Sequence, residues 1–254
     1  IGKSFFPNIL AVGSLSLLWQ MYAFAQPGFL MPSVREGLGR VIENFSDQGF
    51  LDALKSSLYR LGLGYPIACV LGALLGLLVG IFKSFSLYLR SVISILQAIP
   101  PITWVPFFVL IFGYGDLPVI LVITIASFFP MVLSVMNATD GVNQTHLELA
   151  RVFGANKRHL ITKVYAPETR PAFVTGAQVS FGNAWRSMIA SEMVGGASVG
   201  LGWSISYASE IADMEGVIAS IVVIGSIAII LDYVVLEQIK RRLLKYRYVG
   251  EANE

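Results

Sequence analysis

Long apolar runs separated by single charged residues dominate the chain. A helix needs about 20 mostly apolar residues to cross a bilayer, and the gaps between charges predict six such spans. They cover residues 9–24, 61–82, 91–113, 117–138, 172–194 and 216–236. The third and fourth are joined by a tight Gly113-Tyr114-Gly115-Asp116 turn. Arg186 and Glu192 fall inside the fifth span, and Asp232 lies near the end of the sixth. The first run also has the length of a signal-peptide core. Lys3 alone makes a thin positive region, however, and no small-x-small cleavage pattern follows, so a retained span is expected. The fold class predicted is all-α: a polytopic membrane protein of about six transmembrane helices. Residues 1–53 hold the first helix and an external amphipathic segment. Residues 54–254 form the core, with a cytoplasmic loop around 139–171.

Three local patterns refine this outline. Val34, Leu38, Val41, Ile42 and Phe45 alternate with Glu36, Glu43, Asp47 and Asp52, as in an amphipathic helix lying along the membrane surface. Ala68, Gly72, Gly76 and Gly80 give the second span one smooth face, and Gly176, Ser180 and Ala184 repeat the pattern in the fifth. Such stripes let helix backbones approach closely, within one subunit or between two. The third span is interrupted by Pro100, Pro101 and Pro106, which remove backbone donors and cannot continue an undistorted helix. A break at membrane depth is either a plain kink or the lining of a pathway, in which Gln97, Pro100, Pro101 and Trp104 would take part.

Composition agrees with the pattern: 55% of residues are hydrophobic and 13% charged, where soluble domains carry roughly a quarter charged residues. The net charge of +2 gives no reason to expect a nucleic-acid partner. Distribution is more informative. With the amino terminus in the cytoplasm, Lys3, Lys83, Arg90, Arg151, Lys157, Arg158, Lys163, Arg170, Lys240, Arg241, Arg242, Lys245 and Arg247 all fall on that side. The positive-inside rule therefore predicts both termini inside. Arg35, Arg40, Lys55 and Arg60 are the exceptions. The single cysteine, Cys69, sits in an apolar run and reads as a small buried hydrophobe. His146 and His159 read as solvated loop residues rather than a metal site.

The one long basic loop, 148–171, separates the fourth and fifth spans. Thr145 and Glu148 have capping-box spacing, which predicts a helix start there. Leu149, Val152 and Phe153 share one face, and Gly154 is placed to end the helix with a left-handed cap. A second short helix follows, with Leu160, Ile161 and Val164 as its stripe, and is expected to stop ahead of Pro167. A plain amphipathic loop would need only a Glu148–Arg151 ion pair, worth about 0.2–0.5 kcal/mol. Exposed apolar side chains on a helical corner point instead to a partner groove.

Glu148, Ala150, Gly154, Val164 and Pro167 match the spacing of the "EAA" loop of ABC importer permeases, and this chain resembles that family from about residue 54 to 247. Leu149 and Ala166 depart from the family pattern but remain apolar. Ile99-Pro100-Pro101, Trp104-Val105-Pro106, Phe112-Gly113-Tyr114-Gly115, the segment 185–192 and Gly200-Leu201-Gly202 place it nearest the nitrate, sulfonate, taurine and bicarbonate permeases. Related permeases serve vitamin precursors or aromatic acids. The resemblance implies a type I importer fold in a bacterial inner membrane, surrounded by lipid. It implies two permease copies as a homodimer, two ATPase subunits and an external or periplasmic solute-binding protein. The loop would be the coupling helix, with Glu148, Ala150, Arg151, Gly154, Ala155 and Pro167 in the docking segment. No phosphate-binding loop of the Gly-x-x-x-x-Gly-Lys-Ser/Thr type occurs here. ATP and magnesium are accordingly expected in the partner ATPase, with no cofactor and no catalytic residue in this chain.

Arg186 is the most costly single residue, since an arginine at the centre of a span costs about 2.5–3.5 kcal/mol on insertion scales. Glu192 lies about 240° away around the same helix and is a poor partner within it. Pairing with another helix or with proline-freed carbonyls is one expectation for Arg186, and contact with a transported anion is the other. Arg186 and Glu192 are both candidate pathway residues. A stand-alone secondary transporter would need a titratable relay or an inverted repeat, and no convincing repeat relates the two halves of the sequence.

Overall fold

The structure is a computed structural model and describes residues 2–27 and 31–236. The basic residues at 240–247 lie outside the described residues. No strand occurs among the described residues. The chain runs through α1 (Gly2–Ala25), α2 (Val34–Asn44), α3 (Gln48–Ile81) and α4 (Lys83–Gln97), then a 3-10 turn (Pro101–Trp104) and α5 (Val105–Phe112). It continues through α6 (Asp116–Asp140), α7 (Gln144–Val152), α8 (Lys157–Leu160) and a π turn (Ile161–Tyr165). α9 (Ala166–Met193), α10 (Leu201–Glu210) and α11 (Met214–Ile230) follow, with a second π turn (Leu231–Leu236).

By length and composition α3, α6 and the run Met214–Tyr233 suffice to cross a membrane. α4 and α5, bent by 81° at the break between them, are together apolar enough for a fourth span, either broken or re-entrant. The third span expected from sequence is therefore not one straight helix: Pro100 and Pro101 turn the chain, and a 3-10 turn restarts it. α9 has the length of a span at 28 residues but is less apolar than the other three, with Arg186 exposed and Glu192 buried along it.

α6 is the centre of the bundle, packed between α3 and α9. The small-residue stripe of α3 is what brings the first pair together. A Cβ added at Gly76 would stand 2.6 Å from the Val132 carbonyl oxygen, and one at Gly80 2.6 Å from Thr139 Cβ. On the other side, a Cβ at Gly176 would meet Ser134 at 2.7 Å, and the Ser180 hydroxyl donates to the Ser127 carbonyl at 2.9 Å. Both stripes thus serve packing within the chain, not between subunits. Phe181, Trp185, Met188, Val119, Ile123 and Leu201 form the main core where α6, α9 and α10 meet. Leu71, Leu74 and Leu78 on α3, with Ile221 and Ile229 on α11, stay more than half exposed, as lipid-facing side chains do.

α2 is held by a capping box between Ser33 and Glu36. Its Gly37–Val41 side packs on α1 and α11, with the Trp19 ring of α1 lying against Gly37. Leu38, Ile42 and Phe45 point away, 48%, 71% and 47% exposed, as the amphipathic reading of this segment requires. Between 195 and 215, where the sequence suggests an external loop, the chain instead forms α10.

Candidate functional site

Three groups of residues carry the chemistry, one at each end of the bundle and one between. The first is the corner at α7. Its helix starts two residues earlier than the Thr145–Glu148 spacing predicts, because Asn143 is the cap: its side-chain oxygen accepts from the Thr145 N–H at 2.9 Å. The helix ends in a Schellman turn. Ala155 N–H donates to the Ala150 carbonyl at 3.0 Å and Gly154 N–H to the Arg151 carbonyl at 2.9 Å, with Gly154 at φ +78°. The motif positions Ala150, Gly154 and Ala155 therefore all belong to one helix stop.

Leu147 is buried and anchors the inner side of α7, while Leu149, Val152 and Phe153 are 55%, 82% and 82% exposed. Glu148 and Arg151 are exposed and form no ion pair with each other. His146 is not simply solvated: its Nδ1 lies 2.6 Å from Glu168 Oε1, tying α7 to the first turn of α9. The second short helix does not stop ahead of Pro167. The π turn before it widens the backbone, and Pro167 falls in the first turn of α9, where its missing N–H is tolerated. Helix therefore runs unbroken from Lys157, after the α7 corner, into the fifth span.

The second group lies at the proline break. Gln97, Ile99 and Pro101 line a cavity of about 290 Å³ together with Ile125, Ala126, Phe129 and Pro130 of α6 and Asn183, Arg186 and Ser187 of α9. The structure thus brings together Gln97, Pro101 and Arg186 in one cavity, and adds Asn183, Ser187 and Pro130. Pro100 stands exposed beside the turn. Trp104 is not among the lining residues; it stacks on Phe108 at 6.3 Å. Among the described residues Arg186 makes neither of the structural contacts expected for it, with another helix or with a proline-freed carbonyl. Among the described residues its one hydrogen bond goes to Asn183 Oδ1, at 2.9 Å.

The third group is a buried ionic clasp at the end opposite α7, and it corrects the reading of Glu192 as a pathway residue. Glu192 is fully buried, accepting from Arg60 at 2.6 Å, from the Ser57 hydroxyl at 2.8 Å and from Gly202 N–H at 3.0 Å. Arg60 also donates to Asp116 at 2.7 Å and to the Val199 carbonyl at 2.7 Å. Ser57 accepts from Leu201 N–H at 2.9 Å. α10 has no capping side chain of its own; Glu192 and Ser57 cap it from other helices, with negative charge at its N-terminus. A Cβ at Gly200 would lie 2.5 Å from the Glu192 carboxyl carbon, so only glycine lets the turn close over the acid. Ser57 and Arg60 carried the missing signal: they share one face of a helix, and a buried arginine needs a buried acid. Among the described residues no group of three histidine, cysteine or acidic side chains is arranged to hold a metal ion.

Comparison with known proteins follows the same lines. Residues 68–244 match the family model for the binding-protein-dependent transport system inner membrane component. A Methanocaldococcus jannaschii protein, provisionally designated an ABC transporter permease, is 31% identical, over 85% of this chain and 83% of its own. The taurine transport system permease protein TauC of Escherichia coli is 30% identical, over 92% and 88%. The nitrate import permease protein NrtB of Leptolyngbya laminosa is 27% identical, over 90% and 84%. In fold, the chain matches an inward-facing structure of the MetNI methionine ABC transporter with a TM-score of 0.53 and 21% identity, over 85% of this chain and 96% of that one. The chain belongs to the binding-protein-dependent inner membrane component family, and is the membrane-spanning permease subunit of an ABC importer that works with a separate ATPase and a solute-binding protein.

Proposed function

We propose that this permease carries a small anion of the nitrate, bicarbonate, taurine or sulfonate kind, that two copies pair around one pathway, and that α7 is the element on which each ATPase acts. The observation that carries the reading is the exposed Leu149–Val152–Phe153 face on a helix whose stop is fixed by Gly154. An apolar face of that kind fits a groove on a partner. ATP and magnesium belong to that partner. The His146–Glu168 contact and the continuous helix beyond it give a push on α7 a stiff route into α9, so closure of the ATPases would rock the helices between inward-open and outward-open forms.

The anion reading is supported by relatives that carry taurine, nitrate and bicarbonate and by the arginine in the cavity at the break. Pairing of two copies is supported by the exposed apolar side of α5, where Phe107, Leu110 and Ile111 are 51%, 86% and 56% exposed. Orientation follows the positive-inside rule, with α7 and both termini in the cytoplasm and α2 and α10 outside. The bases at the α2 end leave this intact. Arg40 pairs with Glu43 and Asp213, Lys55 with Asp52, and Arg60 with Asp116 and Glu192.

Replacing Glu148 with Ala and Gly154 with Val together tests the docking role. The strained φ at 154 costs about 1–2 kcal/mol locally, so the permease should still insert and purify. The ATPase should be lost from the complex, or ATP hydrolysis should no longer drive uptake. Stable, ATP-coupled transport by the double variant would contradict the assignment.

A further inference from the structure

We propose that Arg186 is the side chain that meets the solute's negative charge within the membrane, with Asn183 as its positioning residue and Gln97 and Ser187 as neutral hydrogen-bonding groups around the bound anion. This rests on the anion reading above and adds a site to it.

Arg60 and Arg186 differ in the way a structural and a ligand-binding arginine should. Arg60 is 3% exposed, with two carboxylates and a backbone carbonyl on its guanidinium. Arg186 is exposed on the single chain and has one neutral partner, Asn183. A guanidinium has five N–H donors in a rigid fork, so most of its donors remain for a ligand.

The side chain lies back along α9, with its terminal nitrogens over Gly182, and Asn183 one turn earlier holds it there. Glu192, Asp116 and Asp232 do not line the cavity beside it, so its other polar groups, Gln97, Asn183 and Ser187, leave the positive charge uncompensated. Asp232 and Arg186 both line a second cavity, of about 390 Å³, and form no ion pair with each other.

The 290 Å³ volume of the first cavity is at the lower limit of small-molecule sites, which suits a compact anion. A carboxylate, sulfonate or nitrate presents two oxygens to a guanidinium fork, and such bidentate charge-assisted pairs are the strong ones. The proline break supplies the opening: α4 ends at Gln97, and the chain turns away before α5.

The test uses the complete transporter, two permease copies with the ATPase and the cognate binding protein, in proteoliposomes offered nitrate, taurine or bicarbonate. Uptake and ATP hydrolysis are both measured at saturating loaded binding protein. Arg186→Gln should lower uptake roughly 10- to 100-fold, the loss expected for a charge-assisted hydrogen-bonded contact, while stimulated ATP hydrolysis stays within about twofold of wild type. Arg186→Lys, which keeps the charge but not the fork, should fall between. An arginine that only held the fold would lose both activities together, and that outcome overturns the proposal. So does unchanged uptake by Arg186→Gln in a transporter that moves one of these anions, which leaves the anion reading standing. A wild-type transporter that moves none of the three overturns the anion reading and the site with it. Should Arg186→Gln fail to assemble, Arg186→Lys and Asn183→Ala decide the matter, and wild-type uptake by both overturns the site.

Discussion

Glu192 and Arg186 stand six residues apart on one helix and do opposite things, and the difference comes from what surrounds each. Glu192 has every oxygen occupied by donors from α3 and α10, so its charge closes the fold. Removing one partner of a buried ion pair leaves the other uncompensated, at a cost of about 3–5 kcal/mol. Glu192→Ala should therefore lower the thermal stability of the purified permease sharply; a midpoint within a degree of wild type would show that the clasp carries no such load. Sequence alone marked both residues as costly charges in a span. It did not separate them, because the partners Ser57 and Arg60 are more than a hundred positions away and become neighbours only when α3 packs on α6 and α9.

At the level of elements, periodicity and punctuation resolved most of the architecture. Charge gaps located α6, α9, α11 and the C-terminal end of α3 closely, since a long apolar run has few other uses; α3 itself begins at Gln48, well before the expected start at Leu61. The glycine at 154 gave the end of α7, because only a residue tolerant of positive φ stops a helix that way. Other signals misled for identifiable reasons. Asn143 caps as well as Thr145 does and comes first, so α7 begins earlier than the capping-box spacing suggests. Pro167 reads as a breaker, yet a π turn and a first-turn position absorb it. α10 was hidden because its caps come from other helices. Helix ends also carry the orientation, which single-cysteine labelling checks. In a Cys69→Ala background, Phe153→Cys should react with an impermeant maleimide only from the cytoplasmic side and Glu210→Cys only from the outside. Labelling of both from one side would reverse or break the topology.

For the molecule as a whole, the structure divides the labour between its two ends and the break in the middle. One end holds α7 and the connection that passes from it into α9. The other is locked by the Arg60–Glu192 clasp and carries the acidic residues around α2 and α10. Between them, the broken span and Arg186 face one cavity. On the function proposed above, that cavity is the route for solute and α7 the lever that moves it, driven by the separate ATPase. The most direct measurement is uptake of nitrate, taurine or bicarbonate into proteoliposomes holding this permease and its binding protein, with and without the ATPase and ATP. The account predicts accumulation only when the ATPase and ATP are both present; uphill uptake by the permease without the ATPase would contradict it.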